Sequence, residues 1–169
     1  MTVSLKNPLT QTIAAFLEEI GIELAAGQIG SETFLPGILV NQGKILIDEA
    51  KLKYPGDLLH EAGHIAVCPA RWRSSLSGEV DLPNLNMDLI EAQAIAWSYA
   101  ACLHLNLDPK VVFHKDGYRG QSEGLLLSFR VGVYPGVSQL QAAGMAATNE
   151  MVRDLSALPY PHLLKWLRE

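Results

Sequence analysis

The sequence of 169 residues predicts an α+β fold in one domain. Two short β-rich runs are separated by a polar turn, apolar residues recur with helical spacing before them, and two longer helical segments follow. The length fits a single hydrophobic core. We therefore expect a small hairpin packed on two core helices over about 33–107, with a mostly helical remainder over about 108–169.

The first predicted element is a helix over 11–20. Its apolar residues Ile13, Phe16 and Leu17 recur at helical spacing, and Gly21 ends the pattern. The hairpin follows. Its β-rich runs cover 33–40 and 44–48, and the turn between them contains a glycine.

The next helix is expected to begin at Pro55, to carry Asp57 in its first turn and to end at Cys68. Gly63 in its middle should cost about 1 kcal/mol relative to alanine, so we expect another part of the chain to approach closely there; the alternative is a tolerated glycine. Pro36 in the first β run confines that run to a sheet edge or a bulge.

Residues 71–85 are rich in Ser, Gly and Pro and predict a surface loop. Asn86 is then a suitable N-cap for a long helix over 87–105. For the rest of the chain we expect the following: a short extended piece at 111–113, a loop at 117–124, and helical segments within 125–133, 137–155 and 162–167, the last opened by His162.

Composition excludes several function classes. Hydrophobic residues make up 49% and charged residues 18%, and the net charge of −5 comes without a basic cluster, which argues against nucleic-acid binding. Polar residues interrupt the longest apolar stretch, 92–107, so no membrane span is expected. The N-terminus lacks a secretory pattern, and Cys68 and Cys102 are expected to be reduced structural thiols, which together predict a cytoplasmic protein.

The most informative motif is HEAGH at residues 60–64. On a helix, His60 and His64 lie on the same face and can bind one metal ion. Glu61 lies about 100° around the helix, where it can act on a metal-activated water without replacing it. An HExxH string arises by chance in about one such sequence in a hundred, so its context has to support it.

A catalytic zinc ion needs a third protein ligand. Val67 and Ala70 occupy the positions at which an extended motif would have a glycine and a third histidine, so the ligand must come from elsewhere. We predict Glu91, because its helix is apolar on nearly every side and a buried carboxylate needs compensation. The alternative is an ion pair between Glu91 and Arg71 or Arg73.

Three other residues are weaker candidates for a ligand. Asp88 is explained by its place in the first turn of the helix, and His104 by a place near the opposite end of it. Cys68 is a candidate only because it closely follows His64.

His114 and Tyr118 are candidates for a different role. They lie in a polar segment that precedes and includes Gly117, as active-site loops often do, and either could stabilise an oxyanion. The alternative is that both are ordinary polar residues of a surface turn.

These elements together resemble zincin metallopeptidases of the ImmA/IrrE-like kind. The likeness covers about 37–105: a strand matching 44–48, the motif helix at 60–64 and a Glu-x-x-Ala helix at 91–96. It implies a zincin-like fold, zinc held by His60, His64 and Glu91, and Glu61 as general base. The Pro- and Ser-rich loop before Glu91 departs from the pattern, and the residues after about 108 have no counterpart in it.

Three hypotheses follow. The first is a zinc metallopeptidase acting on a peptide or protein, with strand 44–48 binding an extended substrate if that strand is the sheet edge. The second is a non-enzymatic partner-binding protein on a zincin scaffold, metal-bound or degenerate. The third is a chance motif in a protein without metal.

Overall fold

We describe the protein from a computed structural model, in which residues 4–30, 33–78 and 86–169 are described. These residues form an α+β fold with seven α-helices and one three-stranded mixed sheet. In chain order the elements are α1 Pro8–Glu19, β1 Leu24–Ala26, β2 Ile38–Asn41, β3 Lys44–Ile47, α2 Asp57–Val67, α3 Ala70–Arg73, α4 Met87–His104, α5 Ser122–Arg130, α6 Val137–Ala142 and α7 Asn149–Arg153.

The predicted hairpin is confirmed, although its first strand covers Ile38–Asn41 instead of the expected 33–40, so Pro36 lies before the strand. β2 and β3 pair antiparallel, with Asn41 opposite Lys44 at the closed end. The two turn residues, Gln42 and Gly43, have φ of 52° and 74°. A two-residue turn with both residues at positive φ matches the right-handed twist of the flanking strands, and glycine adopts that conformation without strain.

The prediction that strand 44–48 could be a sheet edge is wrong. β1 pairs with β3 in parallel, with Leu24 opposite Ile45, so β3 is the central strand and both of its sides are hydrogen-bonded. β1 was not predicted, because three residues are too few to show the alternation of buried and exposed side chains that is typical of a strand. Since β3 has no free edge, it cannot bind a substrate by strand addition.

α1 has the local features of a stable helix. The side chain of Asn7 caps it by accepting from the backbone N–H of Leu9 at 2.9 Å, and Pro8 occupies its first turn. Ile13 and Leu17 are fully buried against the core. The predicted helix over 11–20 is therefore confirmed, although it begins three residues earlier.

α2 and α4 form the centre of the molecule. Leu58, Ala62 and Ile65 on α2, which recur at helical spacing, are fully buried. A Cβ atom on Gly63 would lie 2.7 Å from the carbonyl oxygen of Ala94 on α4, so the glycine allows the two backbones to approach. The predicted close approach at Gly63 is confirmed.

The bounds of these helices were predicted well at α4 and less well at α2. Asn86 caps α4 through its side chain, which accepts from the backbone N–H of Leu89. α2 begins at Asp57, and Pro55 lies in the preceding turn, where its carbonyl accepts from the N–H of Leu58. The first-turn position of Asp57 is as predicted.

The C-terminal part is less regular than predicted. Residues 109–111 form a turn of 3-10 helix in place of the extended piece expected at 111–113, and α5 begins inside the expected loop at Ser122. The helix expected at 162–167 is absent from the described structure, where Leu163 instead forms a bridge with Ala146. Contacts with distant parts of the chain determine the conformation of this region. For example, the indole N–H of the fully buried Trp97 donates a hydrogen bond to the backbone carbonyl of Trp166 at 2.9 Å.

The surface loop expected at 71–85 was only partly correct, because its first residues belong to the short helix α3. Residues 79–85 of that loop lie outside the described residues. No helix in the part of the chain that the structure describes is long and apolar enough to cross a membrane.

Candidate metal centre

One face of α2 carries a row of four titratable residues. Asp57, His60, Glu61 and His64 follow one another at i, i+3, i+4 and i+7, which are the positions that share one side of a helix. The buried apolar residues Leu58, Ala62 and Ile65 lie on an adjacent side of the helix. The spacing that packs α2 into the core therefore also places these four polar side chains together on a separate side.

The crossing of α2 and α4 brings Glu91 to this row. The Nε2 atoms of His60 and His64 are 3.2 Å apart. The carboxylate of Glu91 lies 3.5 Å from Nε2 of His60 through Oε1 and 3.0 Å from Nε2 of His64 through Oε2. These three residues are thus brought together as the sequence analysis expected, and their donor atoms all lie within 4.8 Å of one another.

The donor separations fit a tetrahedral metal site. Ligand distances of about 2.0–2.1 Å at a tetrahedral ion place neighbouring donor atoms about 3.3–3.4 Å apart. The two imidazole nitrogens are 3.2 Å apart, near that value, and Glu91 approaches them through different oxygens, at 3.5 Å from His60 and 3.0 Å from His64. Two imidazoles and one carboxylate are also the donor set of many catalytic zinc sites. The residues present therefore fit a divalent ion of this kind.

The alternative ion pair from Glu91 to an arginine is not formed. Arg73 instead donates to the backbone carbonyls of Cys68 and Arg168, and Arg71 lies over the ring of Trp72. The expected burial of Glu91 is wrong, because the first turns of α4 emerge from the core and leave its side chain 44% exposed.

The other candidate ligands lie apart from the cluster formed by His60, His64 and Glu91. Asp88 is exposed in the first turn of α4, and His104 is exposed in the last turn, where its ring contacts Phe16. Cys68 is buried, and its thiol faces the carbonyl of Pro69.

The electrostatics of the cluster differ from residue to residue. Burial and the neighbouring His64 together lower the pKa of His60 to about 4, against the effect of Glu91, so this imidazole is neutral at pH 7. Burial also lowers the pKa of His64, but its hydrogen bond to Glu91 and the charges of Glu61 and Glu91 outweigh burial and raise the pKa overall. Glu91 responds in the opposite sense: burial raises its pKa, but the two histidines outweigh burial and lower the pKa overall.

Glu61 is partly buried beside these donors. Burial raises its pKa, and the charges of Glu91 and Asp57 add to the shift, while His64 opposes it. A carboxylate with a raised pKa is a stronger base than a free one and can exchange protons nearer to neutral pH. This is the property that a general base in peptide hydrolysis requires.

Tyr118 lies against the cluster. Its hydroxyl oxygen is 3.3 Å from Nδ1 of His60, and the two rings are perpendicular. Tyr118 and Arg119 both have φ of 53°, and Gly120 continues the positive-φ run at 80°. For residues other than glycine this conformation costs on the order of 1–3 kcal/mol each, so tertiary contacts must hold the turn in place.

His114 faces Asp57 instead of the cluster. Its Nε2 lies 2.8 Å from Oδ1 of Asp57, and its ring stacks on that of Tyr54 at 3.7 Å. Burial raises the pKa of Asp57, against the effect of His114. From the sequence, Asp57 was assigned only a role at the start of the helix. His60, Glu61 and His64 follow it by three, four and seven residues, and this spacing could have placed Asp57 on the same face of α2.

Access to the cluster is uneven. The exposed fraction of the side chain increases from 13% for His60 to 25% for His64 and 44% for Glu91. Tyr118 covers the His60 end. An incoming molecule therefore approaches the donor atoms from the side of His64 and Glu91.

Comparisons with protein-family models, with curated proteins and with solved structures find no significant match to this chain.

Proposed function

We propose that the protein is a zinc-dependent metallopeptidase of the zincin type. The observation that carries the proposal is the convergence of three donor groups: Nε2 of His60 and Nε2 of His64 lie 3.2 Å apart, and the two carboxylate oxygens of Glu91 lie 3.5 and 3.0 Å from them, respectively. Glu61 on the same face of α2 supports it. A chance motif would have no reason to meet a carboxylate from another helix within 3.5 Å of both imidazoles.

His60, His64 and Glu91 would hold the ion, leaving a fourth position open. When bound there, zinc lowers the pKa of a water molecule and polarises the carbonyl oxygen of the substrate. Glu61 would accept a proton from the water that attacks the peptide carbonyl, and would return a proton to the leaving amine. The products are a free carboxylate and a free amine, so the reaction needs no further reactant.

The substrate side of the proposal is a peptide or a protein. β3 cannot pair with it, so an extended substrate would have to approach from the exposed side of His64 and Glu91. Zinc is preferred from the ligand types, since the same set also accepts manganese, cobalt or nickel. The cytoplasmic location and the absence of a nucleic-acid partner stay predictions from the sequence.

Metal analysis of the purified protein under non-chelating conditions is the first test. We expect about one zinc ion per chain for the wild type and a large loss of zinc for Glu91→Ala. Protein without bound metal that also fails to take up added zinc would refute the metal centre.

Replacing the general base is the second test. Glu61→Gln should keep zinc and lose hydrolysis of a mixed peptide library, whereas Glu123→Gln on the exposed face of α5 should keep both. If neither the wild type nor the Glu123→Gln variant cleaves any peptide while both bind zinc, the non-enzymatic scaffold becomes the better explanation.

A further inference from the structure

The two histidines of the motif are held differently. His60 has a protein partner at each ring nitrogen: Nε2 faces Glu91 and His64, and Nδ1 lies 3.3 Å from the hydroxyl oxygen of Tyr118. For His64, the hydrogen bonds of the described residues involve only Nε2. Tyr118 therefore acts on one of the two imidazoles and not on the other.

We propose that Tyr118 is a positioning residue for His60. In this assignment, which rests on the proposed metal centre, Nδ1–H of His60 donates to the phenolic oxygen of Tyr118. That hydrogen bond places the ring proton on Nδ1, so that the lone pair of Nε2 is free to bind the ion. It also fixes the rotation of the ring, because the imidazole is then held at both nitrogens.

The surroundings of Tyr118 suit this role. Burial raises the pKa of its hydroxyl well above the ordinary value, so the group stays protonated and neutral. Its ring lies 5.3 Å from that of Phe113, which is buried in the core. Tyr118 thus contacts His60 on α2 through its hydroxyl while its ring packs on the core.

The backbone supports the same assignment. Tyr118 and Arg119 adopt positive φ, a conformation that bulky residues avoid unless their surroundings impose it. The hydroxyl of Ser122 donates to the carbonyl of Gly117 at 3.0 Å and ties the start of this turn to α5. These features belong to the turn that places the phenol against His60.

A direct role in stabilising an oxyanion is the competing function for Tyr118, and the two roles predict different data. A residue that donates to the oxyanion affects the rate of hydrolysis and leaves metal affinity unchanged. A residue that holds a ligand affects metal affinity, by roughly 10- to 100-fold when it is removed.

The experiment measures metal binding by the full chain. Zinc affinity is determined by competition with a chromophoric chelator, and the coordination geometry from the absorption spectrum of the cobalt-substituted protein. We expect Tyr118→Phe to bind zinc roughly 10- to 100-fold more weakly than the wild type. Tyr54→Phe is the matched control, because it removes a phenol that bonds to Asp116 and touches none of the metal donors.

A second measurement avoids any loss of folding in the variant. Nitrogen NMR of the zinc-loaded wild type should show His60 protonated at Nδ1 and bound to metal through Nε2. The opposite tautomer, or equal zinc affinity and an identical cobalt spectrum in Tyr118→Phe and the wild type, would overturn the positioning role. Failure of the wild type to bind either metal would instead refute the metal centre itself.

Discussion

Gly63→Ala tests whether the approach of α2 to α4 determines both stability and the geometry of the cluster. The added Cβ would lie 2.7 Å from the carbonyl oxygen of Ala94 and 3.1 Å from its Cα, and both are backbone atoms that cannot rotate away. Restoring an ordinary contact requires the helices to separate by about 0.7 Å at this point. Metal sites need their ligands within about 0.5 Å of the productive position, so the shift is large enough to disturb the donors.

The magnitude follows from two opposing effects. Alanine should gain about 1 kcal/mol of helix propensity over glycine. Overpacking of a well-packed interface costs about 1–3 kcal/mol. We therefore expect a net loss of up to about 2 kcal/mol in the free energy of unfolding, which lowers the melting temperature by roughly 2–4 °C for each kcal/mol. Zinc affinity should fall in the same variant.

Gly124→Ala provides the matched control. Gly124 is an exposed residue of α5, and a Cβ there would meet nothing within 4 Å. Only the propensity gain remains, so this variant should become more stable by about 0.5–1 kcal/mol and keep its zinc affinity. Urea unfolding and zinc titration of both variants give the comparison. If Gly63→Ala is stabilised as much as Gly124→Ala, the helix contact does not constrain residue 63 and the reasoning fails.

Three further predictions concern pH, the thiols and the sheet. Because the pKa of His64 is raised, protons should compete with zinc at a higher pH than for a free histidine. Zinc affinity should therefore fall as the pH decreases between about 8 and 5. A constant affinity in titrations across this range would contradict the prediction. Burial raises the pKa of Cys68, and raises that of Cys102 to about 12. Neither thiol should therefore react with a thiol reagent at about pH 8 until the protein is unfolded. Rapid modification of the native protein would argue against the buried positions. The side chain of Asp48 accepts a hydrogen bond from the buried backbone N–H of Ile29 at 3.0 Å. Asp48→Ala should therefore lower the free energy of unfolding, measured in urea, by about 1–3 kcal/mol. An unchanged unfolding midpoint would show that the N–H of Ile29 finds another partner.

The parts of the site that were predicted from the sequence depend on local spacing. Residues four apart on a helix share a face whatever the rest of the chain does, so His60, Glu61 and His64 could be placed with only the helix known. Glu91 was selected from its apolar neighbours, and the structure brings it to the histidines, although its side chain is half-exposed. A prediction of this kind identifies the residue without describing its environment.

The parts that were missed depend on contacts between distant segments. β1 is a strand because the side of β3 offers hydrogen bonds to it, and not because Leu24–Ala26 have a strong strand pattern. The positive φ of Tyr118 and Arg119 accompanies the contact of Tyr118 with His60 on α2, and no local signal in these two residues predicts it. The contact between His114 and Asp57 joins residues 57 positions apart, which spacing alone does not reveal.

The gradient of exposure across the three donors has a kinetic consequence. The His60 end is closed by Tyr118, and Glu91 is the most exposed donor, on the helix whose first turns leave the core. A chelator or a competing ion would therefore meet the carboxylate first, and exchange would begin by displacing Glu91 while both imidazoles stay attached to α2. The lifetime of a bound ion would then depend on how firmly the start of α4 is held.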